Sequence, residues 1–181
     1  LMAAEWWQGV ATAGGLDPGY ARSGRLQPLA DTAAVELAHS RALGAQALWQ
    51  GRAEWQVVPA TAALWQPASP SGWLVQDTLS ARLHPRMAAR ALVAAIRARG
   101  GEVIEGAGSD EGPVVWATGL AGLQALSDDL GRVVGGGVKG QALCLRHKAG
   151  ALPQLFVDGL HVVPHVDGTV AVGSTSEQQW S

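Results

Sequence analysis

One cysteine, one phenylalanine and one tyrosine stand in 181 residues. A lone Cys144 excludes a disulfide framework and a cysteine-ligated zinc site. Charge is scarce too: Asp, Glu, Lys and Arg make up 15% of the chain, against a usual ~25%. Thirteen basic and fifteen acidic side chains leave a net charge of −2. With no basic surplus to neutralise phosphates, nucleic acid is not an expected partner. No apolar run approaches the ~20 residues that span a bilayer, so no transmembrane segment is expected. A G-x-S-x-G nucleophile elbow and a Walker A phosphate loop are both missing. What the chain has is apolar mass, 48% of its residues, with 24 glycines and eight tryptophans. That composition excludes a disordered chain and is enough for a core without staples. The first residue is Leu1, not Met, and Ser181 follows directly on a strand-like run, so a piece of a longer protein is expected.

Periodicity divides the chain into three stretches. Met2 to Ala13 is helix-compatible and Gly14-Gly15 stops it. Leu16-Asp17-Pro18-Gly19-Tyr20 reads as a turn, and residues 24–29 as a short strand that Pro28 assigns to a sheet edge. Asp31 is placed to cap a helix reaching Trp49, whose Val35, Ala38, Ala42, Ala45 and Trp49 recur at helical spacing. Short strands are expected around Trp55 and over residues 73–84. In the middle stretch, Pro85 opens a helix to Arg99 with Arg86, Arg90 and Arg97 on its solvent face. Residues 102–105 read as a strand, 106–112 as a tight turn, and 113–117 as a buried parallel strand feeding a helix over about 121–130. The last stretch carries a strand over 138–146, with Cys144 as a buried small apolar residue, and a hairpin around Asp167-Gly168. A two-residue loop there puts His165 and Val163 on the face of Val170 and Val172.

No cluster of ligands or catalytic pair emerges from these elements. His161 and His165 share a strand face, but four residues at ~3.3 Å each separate them by about 13 Å, too far for one metal. Gly135-Gly136-Gly137-Val138-Lys139-Gly140 matches G-x-G-x-x-G in form. A dinucleotide fingerprint must open a helix, and here a strand follows, so the match reads as a connector. Two places remain. Ala117-Thr118-Gly119 ends an apolar strand in small residues, which fits either an ordinary strand-to-helix turn or a close approach of a ligand to the backbone. His165 fits either a histidine at a sheet rim or a polar group beside a ligand pocket.

In order, Gly24-Arg25-Leu26, then His84-Pro85-Arg86 with its helix to Gly100-Gly101, then Val114-Val115-Trp116-Ala117-Thr118-Gly119 form the first half of a pattern. Val138-Lys139-Gly140-Gln141, Val162-Val163-Pro164 and the run from Asp167 through Gly173 to Glu177 form the second half. Together they resemble the FAD-dependent D-amino-acid oxidase superfamily, particularly its glycine oxidase and D-amino-acid dehydrogenase branch, over nearly the whole chain.

The resemblance implies an α+β fold: a mixed, largely antiparallel substrate-domain sheet with helices, interleaved with part of an α/β flavin-binding domain. Residues 14–83 and 132–181 would form the substrate domain, and 84–131 a helix–strand–strand–helix excursion into the flavin domain. The family's Rossmann motif would precede Leu1, so this chain alone is not expected to retain FAD. Hydride would pass from the α-carbon of a small amine or amino acid to the flavin, followed by imine hydrolysis and reoxidation, with no protein acid or base strictly required. The resemblance assigns Ala117, Thr118 and Gly119 to the cofactor and Pro164 and His165 to the substrate pocket, with no metal and no named catalytic residue. A cytoplasmic enzyme is expected, and a homo-oligomer is compatible with it. Two departures stand out: the short connection from Glu105 to Pro113, and His161 where the family often has an aromatic residue. The alternative is a non-catalytic substrate-binding or interaction module of the same architecture.

Overall fold

A computed structural model describes residues 2–106, 108 and 112–178. Among them are four helices and seven strands. The helices are α1 (Met2–Gly14), α2 (Thr32–Trp49), α3 (Pro85–Ala98) and α4 (Gly119–Leu130). The strands are β1 (Arg25–Pro28), β2 (Trp55–Pro59), β3 (Trp73–Asp77), β4 (Ala142–Arg146), β5 (Gln154–Val157), β6 (Leu160–Pro164) and β7 (Thr169–Gly173). All seven form one open sheet in the order β2-β3-β1-β5-β6-β7-β4, antiparallel except where β1 meets β5. The fold is therefore mixed α and β with a largely antiparallel sheet, as the sequence implies.

The chain divides into two compact units, Leu1–Val103 with Ala142–Ser174, and Ile104–Gln141 with Thr175–Ser181. The first unit holds the whole sheet and two small cores. One face of α2 packs Ala34, Val35 and Ala38 on Leu29, Val57 and Val75, and the Trp55 indole N–H donates to the Ala38 carbonyl at 3.1 Å. Asp31 caps this helix from an extended backbone, accepting from the Ala34 N–H at 2.8 Å. In the other core, Val10 of α1 meets Ala91 and Ala95 of α3. A Cβ on Gly14 would stand 2.7 Å from the Ala95 nitrogen, so the two helices approach at backbone distance. Arg86, Arg90 and Arg97 lie on the exposed side of α3, as expected of a solvated stripe.

Several expectations fail for identifiable reasons. β1 is an interior strand, not an edge, despite Pro28. Its parallel ladder with β5 involves only Arg25 and Leu26, so Pro28 pairs on one side alone, with Leu74, and owes no second hydrogen bond. Cys144 is exposed, because β4 is an edge strand paired only with β7 and exposed along its whole length. Residues 102–105 and 113–117 form no strand, and Val115 and Trp116 are 88% and 76% exposed. A parallel strand exists only through its neighbours, and no described segment pairs with either stretch. The turn expected over 106–112 falls partly outside the described residues.

The second hairpin also differs from its expected register. Pro164 faces Val170, Val163 faces Ala171 and Val162 faces Val172. The loop is three residues long, Val166-Asp167-Gly168, closed by His165 N–H to the Thr169 carbonyl at 2.8 Å, with Gly168 at φ +82°. This one-residue change exchanges the faces, so His165 and Val163 share theirs with Ala171 and not with Val170 and Val172. The two-residue loop with both residues left-handed occurs instead at Asp158-Gly159 (φ +49° and +81°), between β5 and β6.

Candidate functional site

In the second unit, residues 113–118 run extended into α4, which starts at Gly119 with Thr118 as its N-cap. The Thr118 side chain makes no cap hydrogen bond. Gly119 lies at φ +62°, and a Cβ built on it meets nothing within 4 Å, so the turn is open on that side. Gly122, one turn on, is closed: a Cβ there would collide with the Thr118 side chain. Ala117, Thr118 and Gly119 line a cavity of about 720 Å³ together with Trp116, Leu123 and Leu126. Its wall is apolar apart from Thr118 and Asp129. Ser127 holds the far end of α4, donating to the Leu123 carbonyl at 2.7 Å and accepting from the Val134 N–H at 3.1 Å. An open turn at a helix start beside an apolar slot fits a flat aromatic group lying against backbone, which is what a flavin or adenine ring requires.

Pro164 and His165 lie in the first unit, and both are buried. His165 belongs to a polar cluster that the sequence reading does not foresee. Its ring lies 4.7 Å, centroid to centroid, from that of His84. His84 Nε2 lies 3.1 Å from Asp167 Oδ2, while Nδ1 accepts from the Met87 N–H at 3.4 Å and so caps α3. Asp167 Oδ1 accepts from both the hydroxyl and the N–H of Thr169, at 2.6 and 3.0 Å. Arg82, 6% exposed, donates to the Gly150 carbonyl at 2.6 Å, and a Cβ on Gly150 would stand 2.9 Å from the His165 carbonyl. Nδ1 of His165 and Nε and Nη1 of Arg82 are buried without a partner.

The charges here act on one another. Burial, then the charges of His84 and Arg82, hold the His165 imidazole below its ordinary value, with Asp167 pulling the other way. Burial lowers Arg82 as well, opposed by Asp17 and Asp167. The Thr169 hydroxyl, ahead of His84, keeps the Asp167 carboxyl below its usual range. Sequence spacing hides this cluster because its members come from three separate segments. The only signal was Asp167-Gly168, which fixes where the hairpin turns back on residues 82–84.

Among the described residues no group of three or more His, Cys, Asp or Glu side chains could hold a metal ion. No described helix is long and apolar enough to cross a membrane.

Comparison with known proteins now places the chain in a class. A model of the FAD dependent oxidoreductase family matches residues 1–181. The chain belongs to that family. No curated protein matches it significantly. Among solved structures it is similar to iminodiacetate oxidase from Chelativorans sp. BNC1, with a TM-score of 0.68 at 20% identity over 97% of this chain and 54% of that one. It is similar also to glycine oxidase from Geobacillus kaustophilus, with a TM-score of 0.67 at 18% identity over 99% of this chain and 54% of that one. L-proline dehydrogenase from P. horikoshii gives a TM-score of 0.64 at 14% identity over 99% and 56%. The chain thus spans about half the length of the structures it matches. At these identities the likeness is one of fold.

Proposed function

We propose that this chain is the greater part of the substrate-binding side, and a lesser part of the flavin side, of an FAD-dependent oxidase or dehydrogenase acting on small amines or amino acids. The observation that carries the reading is the family match over the whole chain together with the open, apolar-walled turn at Ala117-Thr118-Gly119. On this reading residues 14–83 and 132–181 serve the substrate and 84–131 serve the flavin. The flavin, when bound, supplies the electron acceptor for oxidation of a C–N bond.

The chain's own residues act by binding and exclusion. Ala117 and Gly119 present backbone without side-chain bulk, letting a ring lie close to the start of α4. Trp116, Leu123 and Leu126 keep water from that side of the ring. Pro164 and His165 are wall residues on the substrate side, held rigid by the sheet and by His84. The G-x-G-x-x-G match at Gly135–Gly140 leads into β4 and not into a helix, so on this reading the pyrophosphate is held by other residues of the full-length protein. The substrates named for the similar structures, glycine, iminodiacetate and proline, share an amine next to a carboxylate, and that is the substrate class proposed here.

Gly119→Val in the full-length protein tests the reading. A β-branched side chain at φ +62° both strains the turn and fills the approach. The expected result is a purified protein with native circular dichroism and little or no flavin absorbance. Full flavin content in that variant would contradict the assignment of the turn.

A further inference from the structure

Arg25 opens β1 with only one of its three nitrogens engaged. Its Nε donates to Asp77 Oδ2 at 3.2 Å. Asp77 is buried and also accepts from the Ser80 N–H and hydroxyl, at 2.6 and 2.9 Å, so its carboxylate is fixed in place. The two terminal nitrogens of Arg25 have no hydrogen-bond partner among the described residues, and a quarter of the side chain stays open to solvent. The guanidinium stands over the Phe156 ring, 5.8 Å from its centroid, and the Phe156 ring packs on that of His161 at 4.6 Å. Register explains the row. Arg25 pairs with Gln154 of β5, which puts it on the face of Phe156; Phe156 pairs with His161 of β6, and His161 with Gly173 of β7. Gln154 is turned to the Ala81 carbonyl at 3.3 Å, and Gly173 adds no side chain, so the exposed His161 ring is not walled in from β7. Val163 and then His165 alternate onto this same face. One sheet face therefore carries a cation with two open donors, an aromatic floor, and the wall at which His165 stands.

We propose that Arg25 takes the distal carboxylate of an acidic substrate, with Phe156 and His161 beneath the carbons in between. The inference rests on the function proposed above and narrows it, from small amino acids to those with a second carboxylate. The two terminal nitrogens of a guanidinium form a planar fork that matches the two oxygens of a carboxylate. Asp77 takes Nε and leaves that fork free. The negative charge of Asp77 opposes an arriving anion, but three donors already engage its oxygens. Distance selects the distal carboxylate. Neighbouring strands lie ~4.8 Å apart, so β1 and β6 are about 10 Å apart across β5. A substrate whose only carboxylate adjoins its amine is too short to lie against the β6 wall and reach the fork as well. A second carboxylate on one or two further carbons spans the row.

The test uses the full-length protein and two probes that cannot be oxidised as amines. Succinate and succinamate have the same shape and differ by one carboxylate, and calorimetry measures the binding of each. Succinate is expected to bind about tenfold or more tightly than succinamate, and Arg25→Met to reduce that preference to about twofold or less. Arg25→Met leaves Asp77 buried without its cation, so Arg25→Met/Asp77→Asn is measured beside it. Turnover is the second arm: kcat/KM for D-aspartate should fall about tenfold or more in Arg25→Met, while that for D-asparagine stays within about twofold. No binding of succinate, equal binding of the two probes, or a preference that survives in either variant overturns the subsite. Should neither variant fold, the preference of the parent decides alone. A parent that prefers succinate but is bleached by no amino acid contradicts the proposed function and not the subsite; a parent that is bleached but shows no preference contradicts the subsite alone.

Discussion

Asp31 and Asp167 each use one carboxylate oxygen to satisfy a backbone N–H that the chain would otherwise leave open, and both make their contribution legible to mutation. Asp31 accepts from Ala34 at the start of α2, so Asp31→Ala is expected to lower stability by about 1 kcal/mol in denaturant titration. An unchanged midpoint would mean the cap carries nothing. Asp167 is held below its usual range chiefly by the Thr169 hydroxyl. Thr169→Val removes that donor at similar volume, so the Asp167 carboxyl should titrate higher by NMR, and an unmoved midpoint would assign the shift elsewhere. His165 sets the pH dependence in the same direction by a different route. Its value is lowered in the folded protein, so the unfolded chain binds more protons, and stability is lost as pH falls below the unfolded value of about 6.5. Asp167 adds a further loss only near and below the ordinary carboxylate range, as its depressed value is crossed. Melting temperature should therefore drop between about pH 7 and pH 5 in the parent and drop less in His165→Phe.

The elements separate cleanly into those a single chain can announce and those that need neighbours. α1, α2 and α3 follow their sequence signals closely: Gly14-Gly15 ends the first, Asp31 opens the second, and Pro85 sits at the first position of the third. A helix satisfies its own hydrogen bonds, so local residues are enough to mark it. Strands depend on partners, and there the sequence misleads. Val114-Val115-Trp116 has the composition of a buried strand but no described neighbour, and it stays exposed and unpaired. β5, Gln154–Val157, has no sequence signal of its own and is held by its neighbours, β1 on one side and β6 on the other. The two Asp-Gly dipeptides look alike in sequence, yet one closes a two-residue loop and the other a three-residue loop, because the second is drawn out by Asp167 bonding Thr169 and His84. Both second residues are left-handed, so Gly159→Ala and Gly168→Ala should each cost about 1 kcal/mol. No loss at either site would contradict the loop geometry described. The polar cluster around His165 is not legible for the same reason as β5: residues 82, 84, 165 and 167 are brought together only by the tertiary fold.

At the scale of the whole molecule, the sheet, α1, α2 and α3 form one unit that supplies its own cores, while the unit around α4 has no buried residue in its helix and presents apolar surface at Val115, Trp116, Leu126 and Val133. We propose that this second surface is a receiver for something flat and apolar. On the proposed reading the receiver is for flavin, and the family match over residues 1–181 gives the class of chemistry. The most direct test is anaerobic mixing of the purified full-length protein with glycine, iminodiacetate, proline and D-alanine in turn, while its visible absorbance is recorded. The account predicts a protein that is yellow as purified and is bleached by at least one of these amino acids, with colour returning when air is admitted or a quinone is added. A colourless protein that gains no flavin absorbance when supplied with FAD would contradict it and favour a binding module that shares only the architecture.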